Sequence, residues 1–286
     1  MKLSQRLAIG YIQTKFKVLS VVSKRKTAEK AFELFSTPFL KSKRNGVPKN
    51  ATLLSFKMEL SSDKKGTFTI HGYRWNHPQQ KKALILHGFG SAAHKFERYA
   101  ELLVKKGYEV LAFDAPAHGD SEGKTTNAVE YSKMIKKVLE LYGPVQGFIA
   151  HSFGCIALSL ALEETPHDGS TKVVFIAPAT ETTSAVDGAF AMLKIKDVEI
   201  RKEFDKIIYE LSGKATAWFS IRRAIKNIRA KVLWIHDEED DITPWKDALK
   251  VKEDAHSHIK FEITKGLGHR KIYHDNRIKK LTIDFL

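Results

Sequence analysis

Cysteine is nearly absent from this sequence, because Cys155 is the single one among 286 residues. A lone cysteine cannot form a disulfide within the chain, so nothing in the composition requires an oxidising compartment. The chain also has no apolar run long enough to span a bilayer. Its content of 43% hydrophobic and 10% aromatic residues is typical of globular proteins. We therefore expect a cytoplasmic globular protein.

The N-terminus loosely resembles a secretory signal peptide, since it begins with a lysine and several apolar residues, but we do not expect it to be one. Polar and charged side chains interrupt any apolar core, and no small-residue cleavage site follows. These interruptions are Gln5, Arg6, Gln13, Lys15 and Lys17. We expect the segment to be retained in the protein.

Acidic residues are scarce in the first 50 positions, where 12 Lys and Arg accompany 2 Asp and Glu. The net charge of +15 is concentrated there, because the remaining 236 residues hold 36 basic and 31 acidic side chains. Such a segment is either a solvated basic helix or a contact for anionic lipid, nucleic acid or an acidic partner. No nucleic-acid-binding motif is present, so we expect no nucleic-acid partner. Peripheral membrane contact through residues 1–50 stays open, since the first helix is basic and amphipathic.

Apolar periodicity divides the chain into two parts. Residues 3–36 have helical spacing in two stretches, which end before Thr37-Pro38 because the residue before proline resists the helical region. Leu53–Leu60 and Gly66–Trp75 then alternate as two antiparallel strands joined by a turn at residues 61–64. The domains predicted are an N-terminal helical extension at 1–50 and a main domain at 51–286.

Short apolar strands alternate with helices through the main domain, and the last predicted helix is Lys271–Phe285. This alternation predicts a mostly parallel central sheet with helices on both faces, an α/β fold. The predicted strands after the first two are Ala83–Leu86, Val110–Asp114, Gln146–Ala150, Lys172–Ala177, Lys231–His236 and Lys260–Thr264. The rhythm is interrupted at about 179–230 by a helical pattern, which predicts a small cap insertion.

The candidate nucleophile is Ser152, in the segment Ala150-His151-Ser152-Phe153-Gly154. An apolar strand leads into this segment and an apolar helix follows, as in a G-x-S-x-G nucleophile elbow with Ala150 at the first glycine position. Small residues flank such a serine because the turn is sharp and bulk would clash with its neighbours. The alternative is that Ser152 only caps the helix.

A glycine turn, His87-Gly88-Phe89-Gly90, follows another buried strand. Such a turn can aim backbone N–H groups at a ligand, and an oxyanion hole needs two of them. Phe89 in this turn and Phe153 after the serine are the candidates for the oxyanion hole. The alternative is a tight turn that simply requires glycine.

One predicted strand is followed by five carboxylates, at Asp237, Glu238, Glu239, Asp240 and Asp241. The carboxyl ends of strands are where α/β sheets place functional groups. The residues alone do not choose among these acids.

The last strand is followed by Gly266-Leu267-Gly268-His269, where a histidine on a loop could reach the serine. The chain has twelve histidines, so a histidine alone is weak evidence for a catalytic role. His269 is the better candidate because a serine, an acid and this histidine follow predicted strands in the order expected of a catalytic triad.

Together these motifs resemble the α/β-hydrolase superfamily from about residue 51 to the end. The segment Asp114–Ser121 is similar to the D-x-x-G-H-G-x-S turn of that superfamily, with Ala117 in place of a glycine. The resemblance implies the α/β-hydrolase fold and a Ser–Asp–His triad.

The superfamily acid usually stands four residues before a proline, in a G-x-x-D-x-x-x-P pattern. This register selects Asp240 before Pro244 and places Asp237 at the glycine position, so Asp241 is kept as a reserve. His269 matches the superfamily histidine.

The resemblance implies a serine hydrolase that cleaves a carboxylic ester or thioester through an acyl-enzyme on Ser152, with Asp240 and His269. We expect no metal and no organic cofactor, and a small-molecule ester or acyl substrate. The alternatives are acyl transfer on the same triad and a non-catalytic binding protein of the same fold at a membrane surface. The sequence leaves the oligomeric state and the substrate open.

Overall fold

The computed structural model describes residues 3–39, 42, 46–59 and 66–286, and the chain divides into two compact units. The first, which we call the helical unit, comprises Met1–Thr37 and Glu181–Phe219. The second, the sheet unit, comprises Pro38–Thr180 and Ser220–Leu286. The turn predicted at 61–64 lies outside the described residues.

Eight strands of the described chain form one sheet in the sheet unit. They are β1 (Ala51–Glu59), β2 (Thr67–Trp75), β3 (Lys82–Leu86), β4 (Glu109–Phe113), β5 (Gly147–His151), β6 (Lys172–Ile176), β7 (Lys231–Asp237) and β8 (Ile259–Thr264).

Two of the described helices precede β1, and the others lie after β3, between the strands or beyond the last one. The helices are α1 (Leu3–Val22), α2 (Lys24–Ser36), α3 (Glu97–Lys105), α4 (Ala128–Tyr142), α5 (Phe153–Leu162), α6 (Thr182–Leu193), α7 (Val198–Ser212), α8 (Ile221–Ala224), α9 (Trp245–Glu253), α10 (Gly268–Lys271) and α11 (Asn276–Phe285).

The sheet has the order β1-β2-β4-β3-β5-β6-β7-β8. The pairs β1–β2 and β2–β4 are antiparallel, and every later pair is parallel. The central strands β4 and β5 are buried along their whole length, which explains their continuous apolar runs. The predicted α/β-hydrolase fold, with a mostly parallel sheet between helices, is confirmed.

At strand β3 the order in which the chain adds strands to the sheet reverses. The chain passes from β3 to β4 on one side and then to β5 on the other. In open α/β sheets the loops that leave the carboxyl ends of strands at such a point diverge and form a crevice. The loops after β3 and β5 therefore meet at one edge, and they carry the HGFG turn and Ser152.

The final helix differs from its prediction. Residues 271–285 do not form one helix, because α10 continues into a short 3-10 turn at Ile272–His274 and the chain then breaks. Asp275 has extended backbone and its side chain accepts a hydrogen bond from the Ile278 N–H, so α11 begins at Asn276.

The helical unit contains both the N-terminal helices and the helices of the insertion. In its core, the rings of Phe32, Phe35 and Phe190 each contact Phe204 with centroids 5.3–5.9 Å apart. Arg25 on α2 reaches Glu210 on α7 at 2.7 Å. The basic segment that the sequence sets apart at 1–50 is thus, up to Thr37, packed with residues 181–219.

None of the helices in the described ranges is at once long and apolar enough to cross a membrane.

Candidate active site

Ser152 stands between β5 and α5 with a backbone conformation that side chains rarely adopt. Its φ is 53° and its ψ is −116°. Three hydrogen bonds hold it there: the Ser152 N–H donates to Ile176 O at 3.0 Å, and the Ser152 carbonyl accepts from Cys155 at 3.0 Å and Ala179 at 3.1 Å. A conformation of this kind costs about 1–3 kcal/mol and persists only where the surroundings fix it. The turn is therefore a true elbow rather than an ordinary helix cap.

The small residues around Ser152 have a steric cause. A Cβ at Gly154 would lie 2.8 Å from the carbonyl oxygen of His87 and 2.9 Å from that of Leu86. Ala150 is fully buried in β5, where it pairs with Leu86 and with Phe175 on the other side. The second glycine of the elbow pattern is therefore required, whereas the first position accommodates a methyl group.

The loop after β3 packs directly against the elbow. A Cβ at Gly88 would lie 2.9 Å from His151 Nδ1 and 3.0 Å from Ser152 Cβ. Glycine at this position thus allows the two loops to approach each other. Gly88 in the HGFG motif is therefore required by the close contact between the two loops as well as by the turn.

Ser152, His269 and Asp240 form a continuous row of hydrogen bonds. His269 Nε2 lies 2.9 Å from Ser152 Oγ, and His269 Nδ1 lies 2.8 Å from Asp240 Oδ2. All three side chains are buried. Since Nδ1 faces a carboxylate, it carries the proton, which leaves Nε2 free to accept the serine proton.

Asp240 is held as an anion by the loop that carries it. Burial raises its pKa, but the hydrogen bond and charge of His269, together with the N–H groups of Thr243 and Ile242, outweigh burial and lower it. Those N–H groups donate to Asp240 Oδ1 at 2.7 and 2.9 Å. Asp241, the reserve acid, is exposed, so the structure brings Asp240 and not Asp241 to His269.

Asp237, which stands where the superfamily pattern has a glycine, joins the two loops that carry the acid and the histidine. Its Oδ2 accepts from Thr264 Oγ1 at 2.7 Å and from the Leu267 N–H at 3.0 Å, while Oδ1 accepts from the Glu239 N–H at 3.0 Å. The departure from the pattern therefore has a structural use, which is to fix the loop after β8 to the end of β7.

The two candidate oxyanion-hole amides belong to Phe89 and Phe153. In the described part of the chain neither N–H donates to a protein acceptor. The two rings meet edge to face with centroids 5.6 Å apart, and Phe89 is 41% exposed. One amide therefore belongs to the loop after β3 and the other to the first residue of α5, beside an accessible aromatic surface.

Two histidines brace the loop that presents Phe89. His87 Nε2 accepts from the Ala115 N–H and His118 Nε2 accepts from the Gly90 N–H, each at 2.9 Å. Burial lowers the pKa of His87 to about 4, so it stays neutral and keeps this acceptor. Because its ring is committed to backbone contacts, His87 serves the loop and not proton transfer.

Sequence reasoning missed Thr243 and His118. The Thr243 hydroxyl lies 2.8 Å from Asp240 Oδ2 and 3.1 Å from His269 Nδ1, so it touches both partners. A signal is present in Asp240 itself, since aspartate side chains commonly accept hydrogen bonds from the backbone just after them, which brings Thr243 beside the acid. His118 stands in the Asp114–Ser121 motif, but only the fold places it against the Gly90 amide.

No group of three or more His, Cys, Asp or Glu side chains that could hold a metal ion occurs within residues 46–59 and 66–286 or the described N-terminal ranges.

Comparison with known proteins identifies similar sequences and folds. The family model described as serine aminopeptidase, S33, matches residues 77–217. A Mycoplasma pneumoniae protein provisionally named esterase/lipase 2 is 20% identical over 244 residues, which cover 73% of this chain and 89% of that protein.

Solved structures share the fold. The Pyrococcus furiosus esterase Pf2001 aligns with a TM-score of 0.63 at 20% identity, covering 86% of this chain and 96% of that one. A monoacylglycerol lipase from Paleococcus ferrophilus aligns with a TM-score of 0.57 at 22% identity, covering 76% and 99%.

The elbow packing yields a stability prediction. Gly154→Ala should lower the free energy of unfolding by about 1–3 kcal/mol, because the added methyl overlaps two backbone carbonyl oxygens that cannot rotate away. Urea denaturation followed by circular dichroism measures the change.

Gly188→Ala is the matched control, since Gly188 lies inside α6 with nothing within 4 Å of its would-be Cβ. It should stabilise the protein by about 0.5–1 kcal/mol through helix propensity. Equal effects of the two substitutions would contradict the steric account of the elbow.

Proposed function

We propose, since the chain belongs to the α/β-hydrolase superfamily, that it is a serine hydrolase cleaving carboxylic esters or thioesters through an acyl-enzyme on Ser152. The observation that carries the proposal is the hydrogen-bonded row from Asp240 through His269 to Ser152. The likeness to esterases and lipases in sequence and fold supports hydrolysis as the class of reaction.

In the proposed first step, Ser152 Oγ attacks the substrate carbonyl carbon as His269 Nε2 takes its proton. Asp240 keeps the imidazole in the required tautomer and stabilises the cation that forms. The lowered pKa of Asp240 suits this role, because the carboxylate stays charged while His269 gains a proton.

The tetrahedral oxyanion then accepts hydrogen bonds from the amides of Phe89 and Phe153. As the intermediate collapses, the bond to the alcohol or thiol breaks and the leaving group takes the proton from His269 Nε2. Water next attacks the acyl-enzyme with His269 as base, which releases the carboxylic acid and restores Ser152. An alcohol acceptor in place of water would give acyl transfer on the same residues.

The nucleophile is tested by Ser152→Ala. Hydrolysis of p-nitrophenyl butyrate should fall by at least about 10³-fold, because the attacking oxygen is removed, while thermal unfolding should be nearly unchanged. A fluorophosphonate probe should label wild-type protein and leave Ser152→Ala unlabelled.

Ser159→Ala removes a second buried serine hydroxyl, one that donates to Cys155 O within α5, and should keep labelling and activity. Equal hydrolysis by wild type and Ser152→Ala would refute the proposal, and an unreactive wild-type serine would favour a non-catalytic binding protein.

The acid is tested by comparing neighbouring aspartates. Asp240→Asn should lower kcat by about 10³–10⁴-fold, because an amide favours the wrong tautomer of His269. Asp241→Asn should change kcat by less than about twofold, since Asp241 is exposed and a surface substitution of this kind has little effect. The opposite ranking would assign the role to Asp241.

The leaving group is tested by a substrate panel, because the matched family model is described as a serine aminopeptidase and makes aminoacyl amides a second candidate. We expect p-nitrophenyl esters and acyl thioesters of two to twelve acyl carbons to react at least about 100-fold faster, in kcat/KM, than aminoacyl p-nitroanilides. Faster anilide cleavage would transfer the proposal to peptide bonds with the same triad.

A further inference from the structure

Helix α1 carries an apolar row on a face that the described residues of the helical unit leave exposed. Tyr11 is 72% exposed, Val18 64%, Val21 84% and Val22 74%. At 100° per residue Tyr11, Val18 and Val22 fall within about 40° of one another, and they extend about 16 Å along the helix axis. Single exposed apolar residues are ordinary on protein surfaces, but a row of them on one helix face marks an interaction surface.

The opposite face of α1 packs against the rest of the helical unit. Phe16 is buried, and the Gln13 side chain donates to the Met192 carbonyl on α6 at 2.7 Å. Phe16 projects about 140° away from Tyr11 around the helix. The apolar row is therefore additional to the contacts that hold α1 in the helical unit.

The charges on α1 itself are of one sign. The first 28 residues contain seven Lys and Arg and no acidic residue. Lys24 pairs with Asp197, and Arg25 with Glu203 and Glu210, across the helical unit.

Lys15 and Lys17 on α1 are exposed and have no carboxylate partner within the described residues. Lys15 projects about 40° from Tyr11, beside the apolar row, and Lys17 projects about 120° from Tyr11 on the other side of the row. The face thus combines aliphatic side chains, a tyrosine and unneutralised cations.

We propose that α1 docks on an anionic lipid surface, with Tyr11, Val18 and Val22 entering the headgroup boundary and Lys15 and Lys17 facing lipid phosphates. A helix in the plane of a membrane requires this combination of apolar row and flanking cations, and tyrosine favours the interface. A second copy of the chain would oppose like charges across the same face, which disfavours self-association. The proposal does not depend on the proposed hydrolase function.

The test is sedimentation of the full chain with vesicles of phosphatidylcholine, with or without about 30% phosphatidylglycerol. Wild type should bind the anionic vesicles at least about tenfold more tightly than the neutral ones. Val18→Ser/Val22→Ser and Lys15→Glu/Lys17→Glu should each weaken anionic binding by about tenfold or more. Thermal unfolding of both variants should match wild type, because all four side chains are exposed.

Two controls match the substitutions in chemistry but lie elsewhere. Lys246→Glu/Lys250→Glu makes the same charge change on an exposed face of α9, and Val198→Ser removes a valine 65% exposed at the start of α7. Both should bind within about twofold of wild type. If they weaken binding as much as the α1 variants do, attraction is a property of total charge and the proposal fails.

Absence of vesicle binding by wild type overturns the proposal as well. Sedimentation velocity then tests whether a second copy of the chain covers the apolar row instead. A dimer that Val18→Ser/Val22→Ser converts to monomer, without vesicle binding by either protein, would assign the row to a second copy of the chain.

Discussion

The left-handed backbone of Ser152 is the constraint on which the rest of the site depends. A serine in this conformation is stable only because its surroundings hold it: its backbone hydrogen bonds join Ile176, Cys155 and Ala179, and the loop after β3 packs so closely that side chains are excluded at Gly88 and Gly154. The same packing sets the Phe153 amide at the start of α5 and brings the HGFG loop beside it. Nucleophile and both candidate oxyanion amides therefore share one packing arrangement, so any change that relaxes the elbow affects all three.

The acid and the histidine are positioned by a different device. Strands β7 and β8 are parallel neighbours, yet Asp240 and His269 stand three and five residues beyond their ends, where strand pairing no longer fixes geometry. Hydrogen bonds of two side chains fix the geometry there instead. Asp237 accepts from Thr264 and Leu267, and the Thr243 hydroxyl contacts both Asp240 and His269. An acid at the glycine position is thus compatible with the superfamily arrangement because its carboxylate is saturated by protein donors and does not compete for His269.

Local sequence predicted the parallel sheet and the order of Ser152, Asp240 and His269, because burial and strand ends leave signals within a few residues. It could not choose among Asp237, Asp240 and Asp241 from the residues alone, since all three lie at or just beyond the end of β7. The superfamily's spacing to a proline selects Asp240 before Pro244, and the amides of Ile242 and Thr243 give a physical reason for that choice. The break at Asp275 was missed because apolar periodicity continues across it. The pairing of α2 with α7 was missed because it joins segments about 180 residues apart, which periodicity does not connect.

That distant pairing also changes the meaning of the N-terminal charge. Composition alone treats the first 50 residues as uniformly basic, but the fold divides these cations into two groups. Lys24 and Arg25 at the start of α2 are neutralised by acids of the insertion and so contribute to the cohesion of the helical unit. Lys15 and Lys17 on α1 have no such partner among the described residues, and Lys15 lies beside an exposed apolar row. The buried face of α1 already accounts for how the helix packs in its unit. Stability of the fold therefore does not explain the apolar row and the lysines on the outward face, whereas an external partner of opposite charge does.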